Sequence, residues 1–289
     1  MKGVYTATVT PFDKKGKIDF DSFEKILKAQ LAGGVSGIVA SGTTGEAATL
    51  SLEEKVELFK FVLEKCPEVD VVAGTGTNNT AESVRQTEAA LAAGVTKVLI
   101  VTPYYNKPTA KGLLKHYGEI AKTGAKIILY NVPGRTGLNV SPEALSQLAS
   151  IENIVAIKEA TGDIGRFADY LDAVGTERFS FLSGDDFTVA PFVSMGGAGV
   201  ISVISNILPE LTVSLVEAGL EGDFKKAARI QVSINRINHA MFMESNPGPV
   251  KTALFLMGLC EDNFRAPLEK MEKENIQKLS KILKDYFLI

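Results

Sequence analysis

Short runs of apolar residues recur along the chain, and each is followed by an amphipathic helical stretch. Runs that are apolar at successive positions are typical of parallel strands with both faces buried. They recur at intervals of roughly 20 to 35 residues, which fits βα units. The predicted strands are residues 4–9, 37–40, 71–73, 97–101, 126–130, 154–158, 179–182 and 199–202. Eight such units predict an α/β fold, a (β/α)8 TIM barrel.

Several helix starts are marked by capping residues. Ser51 and Glu54 have the spacing of a capping box, in which each side chain bonds the backbone of the other residue. Ser141 precedes Pro142, a typical N-cap before a proline at the first helical position. Residues 206–289 also have helical patterns, and one closing helix does not need so long a segment. We therefore predict a catalytic barrel over residues 1–222 and an appended C-terminal helical domain over 223–289.

Composition and charge exclude several classes of protein. Of the 289 residues, 45% are hydrophobic and 22% charged, as in ordinary globular proteins. The net charge is −3, and no basic run would follow a phosphate backbone, so we expect no nucleic-acid partner. No apolar stretch approaches the ~20 residues that cross a bilayer. The N-terminus lacks a secretion signal, and we expect a cytoplasmic protein without a membrane partner.

The chain has two cysteines, Cys66 and Cys260. Two cysteines cannot form a disulfide framework in a chain of this length, and they fit a reducing compartment. We expect both to pack as small apolar residues.

Polar, aromatic and glycine residues follow the carboxyl ends of several predicted strands. In a (β/α)8 barrel these ends share one rim, where active sites are built. The segments concerned are residues 41–46, 102–106, 130–136, 158–162 and 183–186. A barrel that served only for packing would not need such residues there, so we expect the active site at this rim.

Lys158 ends the sixth predicted strand, directly after a run of apolar residues. We expect its stem to lie in the apolar wall with the amine directed into the barrel mouth. Burial disfavours the charged form of an amine, and a neutral amine can attack a carbonyl to form a Schiff base. The alternative is a lysine that reaches a neighbouring carboxylate. Tyr130, which ends the adjacent predicted strand, favours the catalytic interpretation.

Three hydroxyl groups are candidates for proton transfer near this lysine: those of Tyr130, Tyr105 and Thr43. Imine formation moves protons from the amine to the departing hydroxyl, so a chain of O–H groups fits the chemistry. The alternative is that the tyrosines are wall or interface aromatics.

Arg135 and the turn after the second strand offer two ways to bind carboxylates. A guanidinium at a barrel mouth presents a planar fork to a carboxylate, although Arg135 also fits a surface loop. Residues 43–45 supply hydroxyl and backbone N–H donors suited to a second carboxylate.

Other common sites find no support in the sequence. Residues 42–48 lack the Gly-Lys-Ser/Thr ending of a phosphate-binding loop, and residues 74–76 lack the third glycine of a dinucleotide fingerprint. The two histidines, His116 and His239, lie in predicted helices far from the strand ends and from each other. We therefore expect no metal site and no cofactor.

Four ordered motifs resemble the signatures of the dihydrodipicolinate synthase family, also called the 4-hydroxy-tetrahydrodipicolinate synthases. They are GTTGE at 42–46, TPYYN at 102–106, YNVPGRT at 130–136 and IKEATG at 157–162. The resemblance continues to the segment 246–251 and covers nearly the whole chain. It implies a pyruvate-dependent class I aldolase-type barrel with a C-terminal helical domain, usually a homotetramer built as a dimer of dimers.

The resemblance also implies catalytic roles. Lys158 would form the imine with pyruvate, so that no cofactor is needed, and Tyr130 would relay protons beside it. Thr43 would connect Tyr130 to Tyr105, which in the family enters the site from the neighbouring subunit. Arg135 would bind the carboxylate of the incoming aldehyde.

Three further residues match substrate-binding positions of the family. Thr44 would bind the pyruvate carboxylate, and Gly184 and Ile201 match residues that line the pocket. The implied reaction condenses pyruvate with L-aspartate 4-semialdehyde to 4-hydroxy-tetrahydrodipicolinate, which leads to diaminopimelate and lysine.

Two other functions fit part of the pattern. One is a retro-aldol lyase of N-acetylneuraminate or a 2-keto-3-deoxy sugar acid, which shares the lysine and tyrosine. Arg135 argues against it, since a polyhydroxylated sugar acid needs hydroxyl partners at this position rather than a cation. The other is a pyruvate-binding protein without turnover, against which the retention of all five candidate catalytic residues argues.

Some members of the family are inhibited by lysine at a dimer interface. The matching residues here are Ala47, Ala48, Leu52, Lys55, Asn78, Glu82 and Tyr104. Leu52 and Lys55 stand where sensitive enzymes of one well-known group carry histidines. Lys55 adds a charge of the same sign as the effector, which lowers affinity unless it points away. We hypothesise weak or absent feedback inhibition.

Overall fold

Eight parallel strands close into a barrel in the computed structural model, which describes residues 1–289. Each strand pairs with its neighbours in sequence, and the last pairs with the first. The strands are β1 Gly3–Ala7, β2 Gly37–Ala40, β3 Asp70–Gly74, β4 Lys97–Val101, β5 Lys126–Asn131, β6 Ile154–Glu159, β7 Ser180–Ser183 and β8 Gly199–Ser202. The predicted (β/α)8 barrel is confirmed.

Helices alternate with the strands and cover the outside of the barrel. They are α1 Phe20–Ala32, α2 Leu52–Lys65, α3 Thr80–Ala92, α4 Ala110–Ala121, α5 Pro133–Thr136, α6 Pro142–Ala149, α7 Ile164–Val174, α8 Val189–Ser194 and α9 Pro209–Leu220. The one-turn helix α5 is additional to the barrel pattern and lies in the connection that follows β5. Both predicted caps are confirmed: Ser51 and Glu54 form the capping box of α2, and Ser141 caps α6.

Two apolar layers stabilise the barrel. Tyr5, Ile128 and Leu182 belong to the smaller layer, which fills the barrel interior. The larger layer lies between the strands and the surrounding helices. The strands therefore bury side chains on both faces, which explains why their sequences are apolar at successive positions.

The first strand ends earlier than predicted, at Ala7 rather than at Val9. The backbone N–H of Val9 donates to the side-chain oxygen of Asn206 instead of to a neighbouring strand. Asn206 also donates to the carbonyl of Ala7. A residue near the end of the barrel sequence thus takes over the hydrogen bonding where the strand pairing stops.

Four helices follow α9: α10 Phe224–Ser233, α11 Asn235–Met241, α12 Gly248–Leu256 and α13 Lys273–Asp285. The predicted domain boundary falls in the turn between α9 and α10, where Gly222 has a φ of 84°. The later helices contact the barrel directly, for example through Lys251 and Glu46. The division at 222 therefore stays a prediction. No helix is both long and apolar enough to cross a bilayer.

Cys66 and Cys260 are buried and are not joined to each other. Burial raises the pKa of the Cys66 thiol to about 11 and that of Cys260 to about 12. Both thiols are therefore protonated at neutral pH and pack as small apolar side chains, as predicted.

We predict that His116 makes stability depend on pH. It is buried in α4, where Thr80 bonds its Nδ1 and burial lowers its pKa from 6.5 to about 4. The unfolded chain therefore binds more protons between these values, so stability falls as pH drops from 6.5 towards 4. From pH 7 to 5 the loss should be about 2 kcal/mol.

The measurement is urea unfolding of the wild type and His116→Gln at several pH values. Subtracting the free energy of unfolding of the variant from that of the wild type removes the contribution of the other titrating groups. This difference should fall as the pH drops from 6.5 towards 4. A difference independent of pH would contradict a neutral buried His116.

Candidate active site

An extra residue in β6 turns Lys158 into the barrel. Ile154 and Ala156 pair with consecutive residues of β5, so Val155 is inserted in the ladder as a β-bulge. Side chains alternate along a strand, and one inserted residue reverses the faces of those that follow. Ile154 accordingly packs beneath the helices, whereas Ala156 faces the interior. Lys158, two residues later, points to the interior as well.

The side chain of Lys158 is held against Tyr130. The two residues pair in register between β5 and β6, and the lysine Nζ lies 4.3 Å from the centroid of the tyrosine ring. Lys158 is only 6% exposed. A Cβ at Gly184 would lie 2.9 Å from Lys158 Cε, so a glycine is required there for the lysine to fit. Gly184 thus shapes the site through the space that it leaves.

A second set of side chains fixes the strand ends from the outer side. Asn131, next to Tyr130, donates from Nδ2 to Glu159 Oε2 at 2.8 Å. Glu159, next to Lys158, accepts the N–H of Thr161 at 2.7 Å. These bonds hold the ends of β5 and β6 in register. The sequence motifs contain both residues, but a polar group in a motif does not by itself indicate which face of the strand it occupies.

A cavity of about 370 Å³ opens at the carboxyl ends of the strands. It brings Thr43, Tyr130 and Arg135 together, and Arg135 is exposed at its edge. Ile201 lies within the apolar barrel interior below it. Residues from the predicted C-terminal helical domain complete the wall: Asn246, Pro247, Pro267 and Leu268.

Asn246 connects two of the predicted carboxylate-binding residues. Arg135 Nη2 donates to the carbonyl of Asn246 at 3.2 Å, and Asn246 Nδ2 donates to Thr44 Oγ1 at 3.0 Å. Its own side-chain oxygen is buried without a partner. Sequence reasoning assigned no role to Asn246, although it begins the last segment of the family resemblance.

Tyr105 lies apart from the other proposed catalytic residues. Its side chain is 90% exposed, and its φ of 69° places it in the left-handed region, which is uncommon for residues other than glycine. No hydrogen bond joins Thr43, Tyr130 and Tyr105 within the single chain. The predicted hydroxyl relay is therefore not formed within the single chain.

The predicted effector residues divide into two groups. Ala47, Ala48, Lys55 and Tyr104 line the cavity. Leu52, Asn78 and Glu82 are half-buried outside its lining.

Lys55 is the charged member of the first group. It is 5% exposed, and its amine donates to Gln86 Oε1 at 2.8 Å. Burial lowers its pKa to about 8, while the nearby Glu82 carboxylate opposes that shift. The protonated and neutral forms of this amine are therefore about equally populated near pH 8.

The histidines and acidic side chains do not gather into a metal-binding group. No cluster of three or more His, Cys, Asp or Glu side chains has a suitable arrangement. His116 lies in α4 and His239 in α11. The expectation that the chain works without a metal or cofactor stays a prediction.

The sequence is similar to one protein family over nearly its whole length. A sequence model of the dihydrodipicolinate synthetase family matches residues 1–286. The 4-hydroxy-tetrahydrodipicolinate synthase of Geobacter metallireducens is 47% identical over the full length of both chains.

Two solved structures extend the likeness to the fold. A chloride-inhibited dihydrodipicolinate synthase from Acinetobacter baumannii, complexed with pyruvate, has a TM-score of 0.97 at 40% identity and covers 100% of this chain and 99% of its own. A monomeric dihydrodipicolinate synthase variant has a TM-score of 0.97 at 38% identity, covering 100% and 98%. The chain belongs to the dihydrodipicolinate synthetase family.

Proposed function

We propose that this enzyme condenses pyruvate with L-aspartate 4-semialdehyde through an imine on Lys158. The product is 4-hydroxy-tetrahydrodipicolinate, a precursor of diaminopimelate and lysine. The observation that carries the proposal is the buried amine of Lys158, held 4.3 Å from the Tyr130 ring at the active-site end of the barrel. Membership of the family and the pyruvate bound to the Acinetobacter relative support the choice of substrates.

The proposed chemistry begins when the neutral amine attacks the carbonyl carbon of pyruvate. A C–N bond forms while a proton passes from nitrogen to the carbonyl oxygen, and loss of water leaves the protonated imine. Removal of a methyl proton then gives an enamine, whose carbon attacks the aldehyde carbon of the second substrate while the aldehyde oxygen takes up a proton. The amino group of that substrate then attacks the imine carbon, which closes the ring and releases the Lys158 amine. Tyr130, whose ring lies against the Lys158 amine, is the residue to which we assign these proton transfers. The imine itself withdraws electrons, so the proposal needs no metal or cofactor.

Two carboxylate sites follow from the positions of the polar side chains. Thr43 and Thr44 lie in the turn after β2 and are suited to the carboxylate of pyruvate. Arg135 is exposed at the cavity edge, where it fits the carboxylate of the entering aldehyde substrate. A sugar-acid lyase would instead need hydroxyl partners at this edge, so Arg135 favours the synthase.

Completion of the site requires a second copy of the chain. Tyr105 is 90% exposed on a backbone in the left-handed region, which suits a side chain presented to a neighbour. We propose a homotetramer formed as a dimer of dimers, in which Tyr105 enters the partner's site. The monomeric relative means that membership of the family does not by itself fix the assembly.

The reaction is tested by a coupled assay with both substrates and the downstream reductase. Turnover should require pyruvate and L-aspartate 4-semialdehyde together. Arg135→Ala should raise the half-saturating aldehyde concentration by about 10- to 100-fold, because a hydrogen bond to a charged group contributes about 1.5–3 kcal/mol. Half-saturation by pyruvate should change much less, since Arg135 is connected to Thr44 only through Asn246.

Arg236→Ala is the matched control, since Arg236 pairs with Asp285 on the surface. It should behave as the wild type. No turnover of the aldehyde, combined with cleavage of a 2-keto-3-deoxy sugar acid, would instead identify a sugar-acid lyase.

We predict that Tyr105 acts across a subunit boundary. Tyr105→Phe should lower kcat by about 10²–10⁴-fold, because the relay loses a hydroxyl. Oligomers mixed from Lys158→Ala and Tyr105→Phe subunits should regain activity, since a Tyr105→Phe site receives an intact Tyr105 from its partner. Mixed oligomers that form but stay inactive would contradict the transfer of Tyr105 between subunits.

The charge of Lys55 should weaken inhibition by lysine. A lysine titration of wild-type activity should show little inhibition, and Lys55→Gln should be inhibited at about tenfold lower concentration, because like charges in proximity repel by about 1 kcal/mol or more. Strong inhibition of the wild type at low lysine concentration would overturn this hypothesis.

A further inference from the structure

A fully buried ion pair ties helix α12 to the turn that follows β2. Lys251 Nζ lies 2.6 Å from Glu46 Oε1, and neither side chain is exposed. The lysine amine also lies 4.1 Å from the centroid of the Phe12 ring. The second carboxylate oxygen of Glu46 accepts the backbone N–H of Arg265 at 3.2 Å. Glu46 is thus held from both sides by the C-terminal part of the chain.

The backbone that Glu46 belongs to is strained. Ser41 has a φ of 55° and Glu46 a φ of 56°. A residue other than glycine therefore occupies the left-handed region at each end of the turn 41–46. Such conformations carry an energetic cost and persist only when the surroundings determine them. The contacts of the Glu46 side chain with Lys251 and Arg265 hold one end of this turn, together with the bond from Thr10 Oγ1 to the carbonyl of Gly45.

The turn carries the residues assigned to the pyruvate carboxylate. The N–H of Glu46 donates to the carbonyl of Thr43 at 3.1 Å, and that of Ala47 to Gly42 at 3.2 Å. These two bonds span Thr43 and Thr44, so a change in the backbone conformation of Glu46 while the later chain stays fixed would strain them. The direction of Glu46 and the positions of these two threonines are therefore coupled.

A buried ion pair is a costly way to stabilise a fold. Two charges lose their hydration, and apolar residues of similar volume are often no less stabilising. Burial lowers the pKa of Lys251, although the Glu46 carboxylate opposes that shift. Unlike an apolar contact, the ion pair is directional, so it fixes the position of the turn relative to α12.

We propose that Glu46 and Lys251 are positioning residues that hold the Thr43–Thr44 turn in the form that binds the 2-oxo acid substrate. The inference rests on the proposed imine chemistry and adds to it a role for the C-terminal helices. Glu46 borders the cavity, but its carboxylate is buried against Lys251, so we assign neither side chain a contact with substrate. They act through the backbone of the turn.

The test is a measurement of imine formation as a function of pyruvate concentration, with borohydride trapping read out by mass spectrometry. In Lys251→Met the half-saturating pyruvate concentration should rise about tenfold or more, because misplaced donors lose hydrogen bonds to a charged carboxylate. The trapped fraction at saturating pyruvate should stay near that of the wild type, because Lys158 and Tyr130 are in place.

The double variant Glu46→Gln/Lys251→Met separates positioning from stability. The single variant leaves one buried charge without a partner and should lower the Tm strongly. The neutral pair should recover most of the Tm while the half-saturating pyruvate concentration stays raised. Recovery of both quantities would overturn the proposal, since charge balance alone would then explain the pair.

Lys97→Met is the matched control. Lys97 pairs with Asp70 where β3 and β4 begin, at the end of the barrel opposite the cavity. It should bind pyruvate as the wild type does. A wild-type protein that traps no pyruvate would refute the imine chemistry itself, whereas normal trapping with an unchanged Lys251→Met curve would refute only the positioning role.

Discussion

The bulge at Val155 decides the direction of Lys158, and the chemistry of the site depends on that direction. If all residues of β6 were paired regularly, with no bulge, strict alternation from Ile154 would turn Lys158 towards the surrounding helices. With it, the amine enters the barrel beside Tyr130. One irregularity in strand pairing thus directs the side chain of Lys158 into the barrel interior instead of towards the surrounding helices. The bonds of Asn131 and Glu159 on the outer side fix the register that makes this possible.

The C-terminal helices complete the site as well as covering the barrel. Asn246 stands between Arg135 and Thr44 and bonds both. Lys251, five residues later, is buried against Glu46. Arg135 and Thr44, which we propose to bind carboxylates, are therefore held by a part of the chain that lies outside the barrel pattern. Pro267 and Leu268, from the same part of the chain, also line the cavity.

Much of the fold could be predicted because its signals are local. Three strands, β2, β4 and β8, begin and end as their apolar runs indicate, and the capping box at Ser51 marks the start of α2. The end of β1 could not be predicted in this way. It depends on Asn206, which is 197 positions away from Val9 in sequence.

The same limit applies to the site. The rim position of Lys158 followed from the apolar run that it ends, but the bulge that orients it depends on pairing with β5. The pair of Glu46 and Lys251 spans 205 positions and leaves no trace in sequence spacing. For Tyr105, a single chain shows an exposed ring, and only the family resemblance indicates where that ring goes.

The proposed chemistry requires one lysine of this chain to be placed for imine formation. Three lysines are buried, namely Lys55, Lys158 and Lys251. Lys55 bonds Gln86 and Lys251 pairs with Glu46, whereas the amine of Lys158 lies against an aromatic ring. The most direct measurement is peptide mapping after reduction with borohydride in the presence of pyruvate. The adduct should lie on Lys158 alone and disappear in Lys158→Ala. An adduct on another lysine, or none at all, would contradict the account.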